Sequence, residues 1–227
     1  FRKLRITDRK WVERICYQDG GISSHVNFVM MYLTQAEYSY DSFREFFGCV
    51  LKKPWIENGT LYCQYPIGRL KNRIRAVKAI TRLYAGTYQK ITFRHLSEKN
   101  LEEVKSIFGE ASVTAETSVD YDNYILDVQE QIHLEGPQYH NRRKKIARFN
   151  RAHNWTYEPI TKENMDSCLE VNEKWFADHA DEKGAETEQI SLKVALQELD
   201  ELKLQGGLFR INGKPVAIYI GTPFNKE

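Results

Sequence analysis

Cysteine is scarce and scattered. The four thiols, Cys16, Cys49, Cys63 and Cys168, are too far apart for the paired spacing of a zinc site and too few for a disulfide scaffold. Reduced thiols are the expectation, and with them a cytoplasmic setting. Long apolar runs are missing as well. Nothing approaches the roughly 20 residues that cross a bilayer, and no signal-peptide pattern opens the chain. An overall excess of one charge is also lacking: the net charge is +2 over 227 residues, so bulk charge does not make this chain a polycation. Several catalytic loops are absent. There is no Gly-rich Walker loop, no nucleophile elbow and no His-Glu-x-x-His pattern. No metal is expected, and the acidic residues Asp120 and Asp122 and the acidic stretch 178–188 read as solvated loop charge.

What is present is a core and one dense basic run. Hydrophobic residues make up 41% and aromatics 12%, enough for a folded α/β chain of one large or two small domains. Between residues 142 and 151 stand Arg142, Arg143, Lys144, Lys145, Arg148 and Arg151, with no acid among them. Gly136 and Pro137 open this run as a helix, because proline at the first helical position loses no hydrogen bond. At about 100° per residue, Tyr139, Ile146 and Phe149 share a narrow apolar stripe, extended by Asn150 and His153. Arg142 and Arg143 flank the stripe near the helix N-terminus, where free N–H groups favour an anion. Lys144, Arg148 and Arg151 point the other way.

Periodicity on either side predicts an order of elements. The first half reads as a strand at 1–6, helices ending near Tyr17 and Leu33, and strands at 49–51 and 60–65 joined by Asn58-Gly59. A helix over 72–86, a strand over 90–96, a helix over 98–108 capped by Ser97, and a strand over 123–128 complete it. The second half reads as a strand at 155–160 and a helix over 164–176 capped by Thr161. A mobile acidic loop is expected at 178–188, then a helix from Ser191 to Leu204 stopped by Gly206-Gly207. A hairpin around Asn212-Gly213 closes the chain. The order β, α, α, β, β therefore occurs twice, with mixed sheets expected. The second copy stops after its hairpin, so it is expected to be incomplete, with a partner or further segment covering the open sheet edge.

The motifs between Leu134 and Gly221 resemble a known family. They run Leu134, Gly136, Tyr139, His140, Arg142-Arg143 and Ile146 to Phe149, then 157–161, Glu163-Asn164 and Cys168 to Trp175. They end with Gly206-Gly207-Leu208, 213–217 and Ile220-Gly221. This pattern is similar to the C-terminal domain of phosphatidylglycerol lysyltransferase, with Arg143-Lys144 where Arg-Asn is usual. The resemblance implies tandem acetyltransferase-like (GNAT) folds, here 1–132 and 133–227. It also implies transfer of an aminoacyl group from aminoacyl-tRNA to an amine or hydroxyl of a lipid headgroup or peptide.

Two function classes stand side by side. A transferase would bind its donor, aminoacyl-tRNA or acyl-CoA, through Arg142, Arg143, Lys144 and Arg148. His140 would be the candidate proton acceptor, and Tyr139, Asn172 and Trp175 would line a pocket. No further cofactor is implied. The three-glycine loop that holds coenzyme A does not occur; Tyr65 to Arg69, before a helix, has one glycine. The alternative is a non-catalytic module that binds nucleotide, tRNA or peptide in the same place.

Overall fold

Local turns decide where the first elements begin. In the computed structural model, which describes residues 1–21, 23–37, 42–119, 122–182 and 184–223, the expected strand at 1–6 is reduced to one bridge, Arg2 to Phe43. Asp8 is the reason. Its carboxylate takes two 2.6 Å bonds from Arg2, and it also accepts from the Arg5 amide and the Trp11 indole. The chain is thereby curled into a tight turn over Ile6–Asp8, which leads into α1 (Arg9–Asp19). The Arg2 guanidinium holds the Asp8 carboxyl well below the usual carboxylate range.

The chain divides into two compact units, Phe1–Asp122 and Asn123–Pro223. In the first, α1 and α2 (Phe28–Glu37) precede β1 (Phe43–Phe46) and β2 (Cys49–Lys52), a two-stranded antiparallel sheet. Asn58-Gly59 does turn a hairpin, with both residues at positive φ. It joins β3 (Trp55–Glu57) to β4 (Thr60–Gln64), however, and not 49–51 to 60–65. β2 turns instead through Phe47-Gly48, also at positive φ. β4 then pairs in parallel with β5 (Ile91–Arg94) across helix α3 (Leu70–Tyr84), so this sheet is mixed. Leu51, Leu61, Cys63 and Ile80 form its core. A neighbouring cluster is Tyr65, Val77 and Val104, the last from α4 (Glu98–Phe108). Ser97 caps α4 as its spacing predicts, accepting from the Asn100 amide.

The second unit opens differently from expectation. Residues 123–127 pair with no strand among the described residues. Asp127 ends the extended run by accepting from the Glu130 amide at 2.9 Å, which starts α5 (Val128–His133). A single 3-10 turn over Pro137–Tyr139 leads into α6 (His140–Ala152). Then come β6 (Trp155–Pro159), α7 (Met165–His179), α8 (Ala185–Gln197), β7 (Gln205–Ile211) and β8 (Lys214–Gly221).

Two expectations here fail for one reason each. The acidic stretch is not one loop, because α8 starts at Ala185. Glu186 and Glu188 fall in its first turn, where the helix dipole favours carboxylates. Gly206 and Gly207 stop no helix; they lie within β7. The helix ends earlier, at Gln197, and a turn carrying the buried Leu199 and Leu202 follows. Of the acidic pair noted in the sequence, Asp120 lies outside the described residues.

β6, β7 and β8 form an antiparallel sheet in that order. Its register sorts the side chains. Trp155, Tyr157, Phe209 and Tyr219 share one face, and Glu158, Leu208 and Arg210 share the other. Leu208 is fully buried, and Arg210 reaches Ser167 of α7 at 3.0 Å. The helices therefore cover the Leu208 face. Among the described residues the fold is mixed α/β with three small sheets, two antiparallel and one mixed.

Candidate functional site

The basic run is a helix, and a bare one. No residue of α6 is buried. Ile146 keeps 45% and Phe149 41% of its surface exposed. A helix whose apolar stripe is uncovered gains little from packing, so its ends must hold it. At the N-terminus, Arg143 donates to the Leu134 carbonyl and, at 2.8 Å, to the Gly136 carbonyl. Arg142 donates to Gln131 and lies 5.7 Å from the centre of the Tyr139 ring. The Tyr139 hydroxyl donates to Glu130 at 2.8 Å, which raises its pKa. At the C-terminal end, the Trp155 indole donates to Asn150 at 2.9 Å.

The Arg142 and Arg143 side chains reach back past the start of the helix. Their partners are carbonyl and amide oxygens of the preceding segment, so both guanidinium groups are already engaged in holding α6. Lys144 is exposed. His140, the first residue of α6, is exposed as well. Lys145 and Arg148 behave differently. They edge an open groove of about 530 Å³ whose walls include Ile146, Phe149, His153, Trp155 and Phe209. Helical spacing turns Arg148 away from the stripe, yet its long stem reaches the groove rim.

The groove continues onto the open face of the sheet. Phe209 lies 6.1 Å from Trp155 and 5.4 Å from Tyr157. Tyr157 stacks on Tyr219 at 6.4 Å, and their hydroxyls share a 3.1 Å hydrogen bond that raises the Tyr157 pKa. Gly207 makes the stacking possible. A Cβ there would run into the Tyr157 ring and come within 2.6 Å of Tyr219 Cε1. Trp155, Tyr157 and Tyr219 remain 39–51% exposed. An aromatic wall beside a row of cations offers two kinds of contact: stacking for planar groups, and charge for phosphates.

Of the predicted pocket residues, Tyr139 stands at the entry to α6, whereas Asn172 and Trp175 share α7. That helix packs on the Leu208 face, opposite the groove. Asn172 is buried; its amide donates to the Gln189 carbonyl at 3.3 Å, while its Oδ1 has no hydrogen-bond partner among the described residues. Trp175 stacks on His179 at 4.8 Å. Lys145, Tyr157, Phe209 and Tyr219 are not among the binding candidates that the sequence offers. The alternation Trp155-x-Tyr157 carried the signal, but only strand register shows which rings of β7 and β8 join them.

The family described as "Phosphatidylglycerol lysyltransferase, C-terminal" matches residues 22–227. A crystal structure of a conserved protein of unknown function from Bacteroides thetaiotaomicron superposes with a TM-score of 0.82 at 19% identity, covering 100% of this chain and 76% of that one. A second is the C-terminal domain of an Agrobacterium fabrum protein assigned as a lysylphosphatidylglycerol synthetase. It superposes with a TM-score of 0.56 at 16% identity, covering 92% of this chain and 62% of that one. These likenesses concern the fold. Among curated proteins there is no match. Among the described residues, no helix is long and apolar enough to cross a membrane.

Proposed function

The chain belongs to the phosphatidylglycerol lysyltransferase C-terminal family, and on that footing we propose that it is an aminoacyltransferase domain that docks an aminoacyl-tRNA donor along α6. The observation that carries this reading is the bare helix itself. Six cations and no acid stand on α6, none of its residues is buried, and an aromatic groove runs beside it. Lys144, Lys145 and Arg148 would neutralise donor phosphates, and Trp155 and Phe209 would take an unpaired base or the aminoacyl group. Arg142 and Arg143 act as positioning residues, holding the helix in place from its N-terminal end.

The reaction needs no metal in principle. An acceptor amine or hydroxyl attacks the ester carbonyl, the ribose oxygen leaves, and the attacking group's proton passes to a base. His140, at the head of α6, and His153, in the groove, are the imidazoles on this helix and its exit. The acceptor is a lipid headgroup or a peptide amine. Both units set a helix pair ahead of an antiparallel hairpin, α1–α2 and α7–α8, which supports two acetyltransferase-like copies; the compact units divide after Asp122, ahead of the boundary at 132 that the sequence suggests.

The test is transfer of radiolabelled lysine from lysyl-tRNA to phosphatidylglycerol vesicles and, separately, to a lysine-containing peptide. Exchanging both Lys145→Gln and Arg148→Gln should cut transfer at least ten-fold. It should also flatten the log–log salt dependence of tRNA binding by about 2. A second reading is favoured by the groove's lining, which offers rings and cations but no paired acid and base: a binding module. Salt-dependent tRNA binding with no transfer to either acceptor would select it. Absence of tRNA binding would end the transferase reading and the tRNA-binding form of the module.

A further inference from the structure

The first unit carries its own cluster of rings and cations, on the sheet face that α3 does not cover. Trp55 and Tyr62 are register partners on β3 and β4, and their rings stack at 5.7 Å with only 20° between planes. Arg94, from the end of β5, lies 4.2 Å from the centre of the Tyr62 ring and 5.9 Å from that of Trp55. Lys52, at the end of β2, lies 5.6 Å from the Trp55 centre. His95 follows Arg94 and contacts His25 at 4.9 Å between ring centres. The acid at this place is Glu57, 3.6 Å from Arg94 and half exposed.

The opposite sheet face holds Leu61, Cys63, Ile91 and Phe93 around Ile80 of α3. The outer rings are therefore not needed for that core. Trp55 and Tyr62 are each partly exposed. Side by side on a sheet, with a guanidinium plane on one and an ammonium beside the other, they present alternating stacking surface and charge. A lipid surface asks for an amphipathic helix or a polybasic run, and an acidic peptide asks for cations without flat rings. A chain of bases and phosphates asks for both at once.

We propose that Trp55, Tyr62, Lys52 and Arg94 form a platform for single-stranded nucleic acid, with a base stacked on Trp55 and the flanking phosphates on Lys52 and Arg94. The platform lies in the first unit and stands whether or not the α6 helix binds a donor. It gives the chain a second nucleic-acid contact, one that takes unpaired bases and not duplex.

The experiment uses the whole chain with Lys145→Gln and Arg148→Gln already in place, so that α6 contributes little. A fluorescein-labelled oligouridylate is titrated by anisotropy over a range of KCl. Residual binding is expected, and Trp55→Ala should weaken it about ten-fold or more. Trp55→Phe, which keeps a ring, should stay within about three-fold. Lys52→Gln and Arg94→Gln should each lower the log–log salt slope by about 0.7. Thermal melts check folding, and if Trp55→Ala does not fold, Trp55→Phe and the two slopes decide. Three outcomes overturn the proposal: RNA affinity untouched by Trp55→Ala in a folded protein, duplex RNA bound as tightly as the single strand, or binding that follows Trp55 only on anionic vesicles.

Discussion

His25 shows how much a single side chain can add that no motif announces. Its ring sits against His95, on which Lys52 and Arg94 act, and Ser23 lies at 2.8 Å. Burial first, and the His95 neighbour second, push its pKa down to about 4, and burial lowers His95 as well. The folded state therefore prefers both imidazoles neutral. An unfolded histidine titrates near 6.5, so below that pH the unfolded chain takes up protons before the folded one does. Stability contributed by the pair is complete above about pH 6.5 and declines as pH falls toward about 4. Urea midpoints at pH 7 and pH 5 should differ by more in the wild type than in His25→Gln. Equal differences would remove the pair from the account. Neither histidine was legible as a pair, because they lie 70 positions apart on separate loops. Asn58-Gly59 is the converse case, since its turn chemistry is local and its hairpin appears where the dipeptide stands.

Elements of the first unit are joined through a buried charge that periodicity alone would never place. Arg73 lies on the inner side of α3 and is 2% exposed. It pairs with Glu103 of α4 through two contacts and with Asp19 at the end of α1 at 2.9 Å. It also donates to the Gly68 carbonyl, while Asp19 accepts from the Gly68 amide at 2.7 Å. Tyr65 donates to Glu103 at 2.9 Å, and burial raises the Tyr65 pKa. Three helices and the loop before α3 thus meet at one guanidinium. Removing one member leaves a buried charge half compensated. Glu103→Gln should cost about 3 kcal/mol, read by chemical denaturation. Arg73→Met combined with Glu103→Leu should cost much less than the sum of the two single changes. The helices themselves were legible, since Ile74, Val77 and Ile80 repeat at helical spacing and Ser97 caps α4. Where the chain departs from expectation, at residues 123–128 and at α8, the decision is tertiary or electrostatic: among the described residues no strand pairs with 123–127, and the glutamates of α8 are favoured by a helix dipole.

At the scale of the whole molecule, the organisation into two units shows itself at the junction. Residues 122–127 are exposed and carry Tyr124 at 95%, Ile125 at 73% and Leu126 at 61% exposure. From Ser106 to Asn141 the sequence holds neither lysine nor arginine. Brief chymotrypsin treatment should cut first near Tyr124 and Leu126 and leave two resistant fragments, whereas trypsin should leave this region whole. Early chymotryptic cleavage inside α3 or β7 would contradict the division. Hydrophobic spacing shows the helix pair that precedes a hairpin in each unit, but the opening strand expected at 1–6 is one bridge and 49–51 pairs with 43–46, not with 60–65. The candidate groove was not, because its walls come from α6, β6 and β7, and only register turns scattered aromatics into one surface.

The two attachments of α6 have a mechanical consequence. Arg143 grips carbonyls at one end and Trp155 grips Asn150 at the other, so the helix is a beam supported at both ends with its middle unloaded. A beam of that kind is already in position when a ligand arrives, so little order has to be created on contact. The groove should bind quickly, with a rate set by electrostatic approach and not by any closing movement of the helix.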